Sequence, residues 1–255
     1  MSAGLRSVLQ PFSSFSRART LLQRAGNGTS ALAGTGEAGV LPPPDLEAAL
    51  TRITALPDVD VVAVHREAAR SGSFGTWPEE LDPRLVAALP RPYTHQADAV
   101  RAVLDRRDIV LSTSTASGKS LCFHVPILDA ALRDPRSRAL MLFPTKALGR
   151  DQVESLRELG SNLGIGVGVY DGDTPPDERR AARRRAHAVA TNPDMLHRGI
   201  LPHHDRWASF IAGLKVVVLD ELHTYRGLFG SHVANVLRRL FRLCRHHGSA
   251  PTVIA

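Results

Sequence analysis

With 255 residues, 43% of them hydrophobic and 22% charged, the chain is apolar enough to bury a sizeable core and too mixed in composition to be fibrous or disordered throughout. A formal net charge of +7 favours an anionic partner, nucleic acid being the commonest. No run reaches about eighteen uninterrupted apolar residues, which argues against a transmembrane helix, and Cys122 and Cys244, far apart among apolar neighbours, read as reduced core residues rather than a disulfide or a zinc pair.

Residues 1–44 are rich in Ser, Gly, Ala and Arg, with no acid before Glu37, and are expected to be a disordered tail. An acid-free, Arg- and Ser-rich start is also the composition of an organelle transit peptide; a cytoplasmic location is the main expectation. After Pro42-Pro43-Pro44, Asp45 caps a short amphipathic helix with Leu46, Leu50 and Ile53 on one face. Asp58 to His65 alternates loosely like a strand, and Gly72 to Pro78 is a turn in which Trp77 serves as a packing anchor. Residues 45–90 thus read as a small N-terminal appendage. Asp82-Pro83 opens a further helix with a cap and an N1 proline.

From residue 91 the pattern changes to strands alternating with helices. Tyr93-Thr94-His95-Gln96 starts a helix through Arg106, and Asp108 to Ser112 is the first core strand. Lys119 to Leu132 is a helix bent at Pro126; Arg138 to Phe143 is a strand, Pro144-Thr145-Lys146 a turn, and Asp151 to Leu163 a helix. Ile165 to Tyr170, Ala186 to Ala190, Lys215 to Leu219 and Thr252 to Ala255 read as strands, and Phe229 to His246 as a helix. Such alternation predicts an α/β domain with a parallel, doubly wound sheet and right-handed crossovers.

Two strand ends carry the chemistry. Val110 and Leu111 run into the small-residue loop Thr113-Ser114-Thr115-Ala116-Ser117-Gly118-Lys119-Ser120. Small residues let backbone N–H groups converge on a triphosphate, a lysine reaches the β- and γ-phosphates, and a hydroxyl sits on Mg²⁺. The match to G-x-x-x-x-G-K-[ST] is broken only at its first position, where Thr113 replaces glycine. The apolar run Lys215 to Leu219 delivers Asp220, Glu221 and His223. Asp220 can hold Mg²⁺ together with Ser120, and Glu221 is placed to orient or deprotonate a water. Ligands of open parallel sheets lie outside the carboxyl ends of strands, where both motifs fall.

In order along the chain, these blocks resemble the DEAD/DEAH-box helicases of superfamily 2 over about residues 91 to 255. Tyr93-Thr94-His95-Gln96 resembles the adenine-reading Q motif, Thr113 to Ser120 motif I, and Phe143-Pro144-Thr145-Lys146-Ala147-Leu148 motif Ia. Thr191-Asn192-Pro193-Asp194-Met195-Leu196 resembles motif Ib, and Asp220 to His223 motif II. Tyr170 to Pro175 and Asp220 to Gly227 are most similar to the branch of bacterial mitomycin-repair helicases and their fungal RecQ-like relatives. The resemblance implies a RecA-like P-loop domain that takes ATP and Mg²⁺, with Gln96 reading adenine and residues 115–120 holding the phosphates. It also implies single-stranded DNA held by its backbone at Thr145, Lys146, Thr191 and Asn192, and 3′-to-5′ translocation in DNA repair. The family continues into motif III and a second RecA-like domain, so these residues are expected to form one wall of the ATP cleft, the arginine facing the γ-phosphate coming from the other.

Three side issues stay open in the sequence. Arg179, Arg180, Arg183, Arg184 and Arg185 read either as a solvated helix face or as a DNA-facing patch. His197, His203, His204, His246 and His247 lack the partners and spacing of a zinc site. Two other functions compete with the motor: a P-loop NTPase with a non-nucleic-acid target, which would lack the Pro144-Thr145-Lys146 and Thr191-Asn192-Pro193 loops, and a non-catalytic nucleic-acid-binding remnant, which would fail to bind ATP.

Overall fold

The computed structural model describes residues 46–63, 72–113 and 117–255. The proposed tail, residues 64 and 65 of the expected first strand, and Ser114, Thr115 and Ala116 of the phosphate loop lie outside the described residues. The chain divides into two compact units, residues 1–68 and residues 69–255. Within the first, helix α1 (Leu46–Thr54) forms where the apolar spacing places it. Residues 58–63 form no strand and pair with no strand among the described residues.

The second unit is the α/β domain. Helix α2 (Pro83–Val86) starts as expected, with the Asp82 carboxylate accepting from the Arg84 amide. The backbone N–H of Asp82 in turn donates to the buried Asp129 carboxylate at 2.8 Å. Asp129 belongs to α4 (Lys119–Arg133), and Leu81 and Leu85 pack into the main core, so residues 72–90 are seated on the sheet's supporting helices. Trp77 joins the same core and donates its indole N–H to the Pro90 carbonyl. Helix α3 (Thr94–Leu104) ends two residues earlier than the sequence suggests, and α4 runs without a break through Pro126.

Five strands follow: β1 (Arg138–Leu142), β2 (Val167–Val169), β3 (Ala188–Thr191), β4 (Leu214–Leu219) and β5 (Thr252–Ile254). They pair in the order β2-β3-β1-β4-β5, every pair parallel. The expected strand at 108–112 is reduced to a single bridge, Ile109 with Ile254. Its backbone still alternates along β5: Ile109 N–H to Val253 O, Ala255 N–H to Ile109 O, and Leu111 N–H to Ala255 O. The crossover helices are α5 (Lys146–Leu159), α6 (Pro176–Arg185), the single turn α7 (Pro193–Met195), α8 (Ala208–Ala212) and α9 (Gly227–His246). Helix α5 begins five residues before the expected start, since the Thr145 hydroxyl caps the Leu148 amide; of the expected turn at 144–146, Pro144 and Thr145 bend and Lys146 is already helical.

Alternation along the strands builds both faces. Ala139, Met141, Phe143, Ala188, Ala190, Val216 and Val218 face the layer holding Phe123, Leu128, Val153 and Leu156. Leu140, Leu142, Val189, Val217 and Leu219 face Trp207, Phe210, Val236 and Leu240. Trp207 is the largest fully buried side chain there, with Tyr170 and Phe210 packed edge-on to it. Cys122 and Cys244 are buried free thiols, and burial pushes Cys122 up to about 11.

Candidate functional site

In β1, β3 and β4 the register sets Leu142 beside both Thr191 and Leu219. The segments that follow those three residues therefore emerge side by side at the carboxyl edge of the sheet, with residues 109–113 reaching the same edge from beyond β5. A cleft of about 380 Å³ opens at that edge, lined among others by Ser112, Thr113, Lys119, Asp220, Glu221 and His223. Two motifs separated by a hundred residues are thus brought together. Gly118, Lys119 and Ser120 form the start of α4, where free N–H groups and the helix dipole favour an anion.

Gly118 takes the left-handed conformation with φ +74°, and a Cβ on it would lie 2.5 Å from Gln96 Nε2. Only glycine fits there. The Thr113 and Ser117 hydroxyls hydrogen-bond across the loop at 2.6 Å. The nearest polar contact of Lys119 Nζ is the Thr113 carbonyl at 3.4 Å; with no carboxylate paired to it among the described residues, the ammonium is available to a phosphate.

On the opposite side, Asp220 donates its N–H to the Leu142 carbonyl and accepts the Glu221 N–H at 2.9 Å on Oδ1. Burial pushes the Asp220 carboxyl above its ordinary value; the neighbouring Glu221 charge adds to this, while the Glu221 amide, Lys119 and His223 oppose it. A carboxylate held dry in this way is one that a divalent cation would stabilise. Glu221 adopts φ 52°, ψ 45°, a left-handed conformation that costs a non-glycine residue on the order of 1 kcal/mol. Its side chain meets His223 Nδ1 at 3.1 Å, which fixes the carboxylate at the mouth of the cleft. By donor type, a hydroxyl and a part-buried carboxylate, Ser120 and Asp220 are residues that fit Mg²⁺.

The model for the DEAD/DEAH box helicase family matches residues 93–252. The chain belongs to that family. It is 49% identical over 202 residues to the ATP-dependent helicase YprA of Bacillus subtilis, covering 76% of this chain and 27% of the relative. It is 48% identical over 156 residues to the ATP-dependent helicase HRQ1 of Saccharomyces cerevisiae, 60% of this chain and 14% of that one. The crystal structure of the DUF1998 helicase MrfA bound to DNA and AMPPNP superposes with a TM-score of 0.73 at 46% identity, over 82% of this chain and 30% of that chain. The chain therefore spans less than a third of the length of these relatives.

In this DEAD/DEAH box chain the Q-motif glutamine is buried behind the phosphate loop. Gln96 is 2% exposed; its Oε1 accepts the Tyr93 N–H and its Nε2 donates to the Gly118 carbonyl, each at 2.9 Å, while His95 Nε2 meets the Ser117 carbonyl at 3.1 Å. The motif thus braces the phosphate loop from behind. Replacing Gln96 with Ala is expected to weaken both ATP and GTP by about three- to tenfold, since its hydrogen bond of about 1 kcal/mol to the Gly118 carbonyl holds the loop. Competition titrations against a fluorescent nucleotide check this; a loss confined to ATP would show that Gln96 acts on the adenine and not through the loop.

The four residues expected at the nucleic acid lie at the same edge, with their side chains engaged. Thr145 caps α5. Lys146 Nζ bridges both Asp173 oxygens at 2.9 Å. Thr191 is 5% exposed and donates its hydroxyl to the Tyr170 carbonyl. Asn192 Oδ1 accepts the Met195 amide. What this edge offers a strand is therefore backbone N–H groups, the Thr145 surface and a lysine in an exposed ion pair, the last releasable at under about 1 kcal/mol. Sequence reasoning used residues 170–175 as a mark of the family branch and missed that they form the loop partnering Lys146. Asp171 is buried and accepts from Thr174 and Asp173; although burial works to raise its carboxyl, those bonds and Arg150 hold it below the ordinary value. Its Asp-Gly-Asp-Thr sequence is a local turn signal that could have been read.

Proposed function

We propose that this chain is the ATP-binding portion of an ATP-dependent DNA helicase that moves 3′ to 5′ along DNA in genome repair. The observation that carries the reading is the convergence of Lys119 with Asp220 and Glu221 on one cleft, Lys119 at the start of a helix and the two acids just beyond a strand. Lys119 and the amides at the start of α4 would bind the triphosphate, and Ser120 and Asp220 would hold Mg²⁺. Bound Mg²⁺ neutralises charge on the phosphate oxygens. Glu221 would orient and deprotonate the water, with His223 holding the Glu221 carboxylate in place. An arginine facing the γ-phosphate would come from a second RecA-like domain.

The DNA part of the proposal rests on the motif Ia and Ib residues at the carboxyl edge and on the family relative solved with DNA. Thr145, Lys146, Thr191 and Asn192 would contact the backbone of one strand, which positions without reading sequence. No helix among the described residues is long and apolar enough to cross a membrane. We place the protein in the cytoplasm, on the nucleoid. Single-stranded DNA is expected to bind weakly, its affinity falling with salt by a log–log slope of roughly 0.7 per phosphate neutralised and varying little with base composition. Anisotropy titrations at several salt concentrations check this; no slope, or a strong preference for one sequence, would refute it.

A further inference from the structure

At the amino end of the sheet, opposite the cleft, a second concavity of about 310 Å³ is lined by Arg138, Arg183, Arg184, Arg206, Ser209 and Phe210. The four guanidinium groups come from three separate places: the first residue of β1, the last turn of α6, and the turn before α8. No carboxylate lines the pocket. Among the described residues, Arg183, Arg184 and Arg206 enter no ion pair or side-chain hydrogen bond, in contrast with Arg179, which donates to the Asp171 and Gly172 carbonyls. Arg138 is anchored through NH1 on the Pro135 and Ser137 carbonyls, so one fork is held in place before any ligand arrives.

Like charges gathered in a hollow repel one another, and although solvent screens Arg184 and Arg206, which are exposed, an anion seated there would relieve the rest. Part of the repulsion is offset locally, because Arg183 and Arg184 sit at the carboxyl end of α6, where the helix dipole favours cations. Guanidinium forks match phosphate oxygens in pairs. Arg138 is four residues along β1 from Leu142, so the pocket lies roughly 13 Å from the carboxyl edge at 3.3 Å per residue.

We propose that this arginine pocket is a second phosphate-binding site, which grips the backbone of the DNA at a point remote from the strand contacts of motifs Ia and Ib. A phosphodiester fits better than a free nucleotide: Phe210 is buried at 2% exposure and presents no face for a base to stack on, and the pocket holds no carboxylate to read one. This inference rests on the reading of the chain as DNA-binding, and adds a second anchor that keeps the protein on the duplex flanking the translocated strand.

The test uses the full chain and a fluorescent duplex with a 3′ single-stranded tail, read by anisotropy from 50 to 300 mM salt. The variant Arg183→Ala/Arg184→Ala is expected to bind about tenfold more weakly, with a salt slope shallower by roughly 1.4 to 1.8 for two phosphates released. Arg206→Ala, on a different element, is expected to reproduce part of the loss, whereas Arg180→Ala/Arg245→Ala, which removes the same charge outside the pocket, is expected to leave affinity within twofold. Retained nucleotide binding by each variant shows that it is folded. Equal losses in the pocket pair and the control pair would overturn the site in favour of diffuse attraction, as would wild-type affinity in the pocket pair. A thermal shift with inorganic phosphate that vanishes in the pocket pair while DNA affinity stays at wild type would make it a free-anion site and overturn the DNA assignment. With wild-type binding intact and Lys146→Ala weakened, such outcomes count against the pocket alone; failure of the wild-type chain to bind DNA would count against the proposed function as well.

Discussion

By itself the 255-residue chain is expected to hold ATP and Mg²⁺ yet release phosphate at about 10⁻³ s⁻¹ or slower, with no stimulation by single-stranded DNA. Lys119, Asp220 and Glu221 gather at one cleft, but no arginine is among its lining residues. Arg226, the nearest in sequence to the acid pair, stands exposed at the N-cap position of α9 and is not among the residues that line the cleft. An arginine facing the γ-phosphate is worth about 10³ to 10⁵ in turnover, and working phosphoryl-transfer enzymes run at roughly 1 to 100 s⁻¹. Phosphate release measured with and without DNA decides the matter. DNA-stimulated turnover near 1 s⁻¹ would show that a group within this chain supplies that charge; addition of a second RecA-like domain in trans should raise the rate if it does not.

Replacing Lys119 with Ala is expected to lower ATP affinity by about tenfold to a hundredfold. The ammonium makes only a long contact to the Thr113 carbonyl, so most of its hydrogen-bonding capacity is open to the phosphates, and a charge-assisted bond is worth roughly 1.5 to 3 kcal/mol. The same change leaves Asp220 without the nearby cation that helps hold its carboxylate charged. Calorimetric titration of ATP reads the loss. Unchanged affinity would remove the phosphate cradle from this loop.

Much of this architecture was legible because local rules and the fold agree. The apolar runs ending in Phe143, Thr191 and Asp220 announce buried parallel strands, and the Asp82-Pro83 cap places its helix to the residue. Where local and long-range signals part, the reading slips. Pro144-Thr145-Lys146 has turn composition, yet Thr145 is a helix cap whose effect is visible only once Leu148 is known to be helical. Gln96 matches a nucleotide-reading motif and also stands three positions after Tyr93, where its side chain caps the helix; its further bond to Gly118 is one that no spacing argument reveals. The strand pattern that starts at Asp58 finds no partner among the described residues. The arginine pocket draws on residues 138, 183, 184 and 206, and no window of sequence contains that set.

The segment carrying the phosphate loop has its backbone partner far along the sequence, in β5. Asp108 accepts the Val253 N–H across 145 positions, and Ile109 and Leu111 continue that contact to Val253 and Ala255. Closing so long a loop carries an entropic cost that only long-range pairing repays. On a ribosome, which delivers residues in order, β1, β3 and β4 can pair while the 108–112 segment still waits for β5. The nucleotide site is therefore the last part of this sheet to be born: a nascent chain can possess its core and its acid pair before it has a fixed place to put a phosphate.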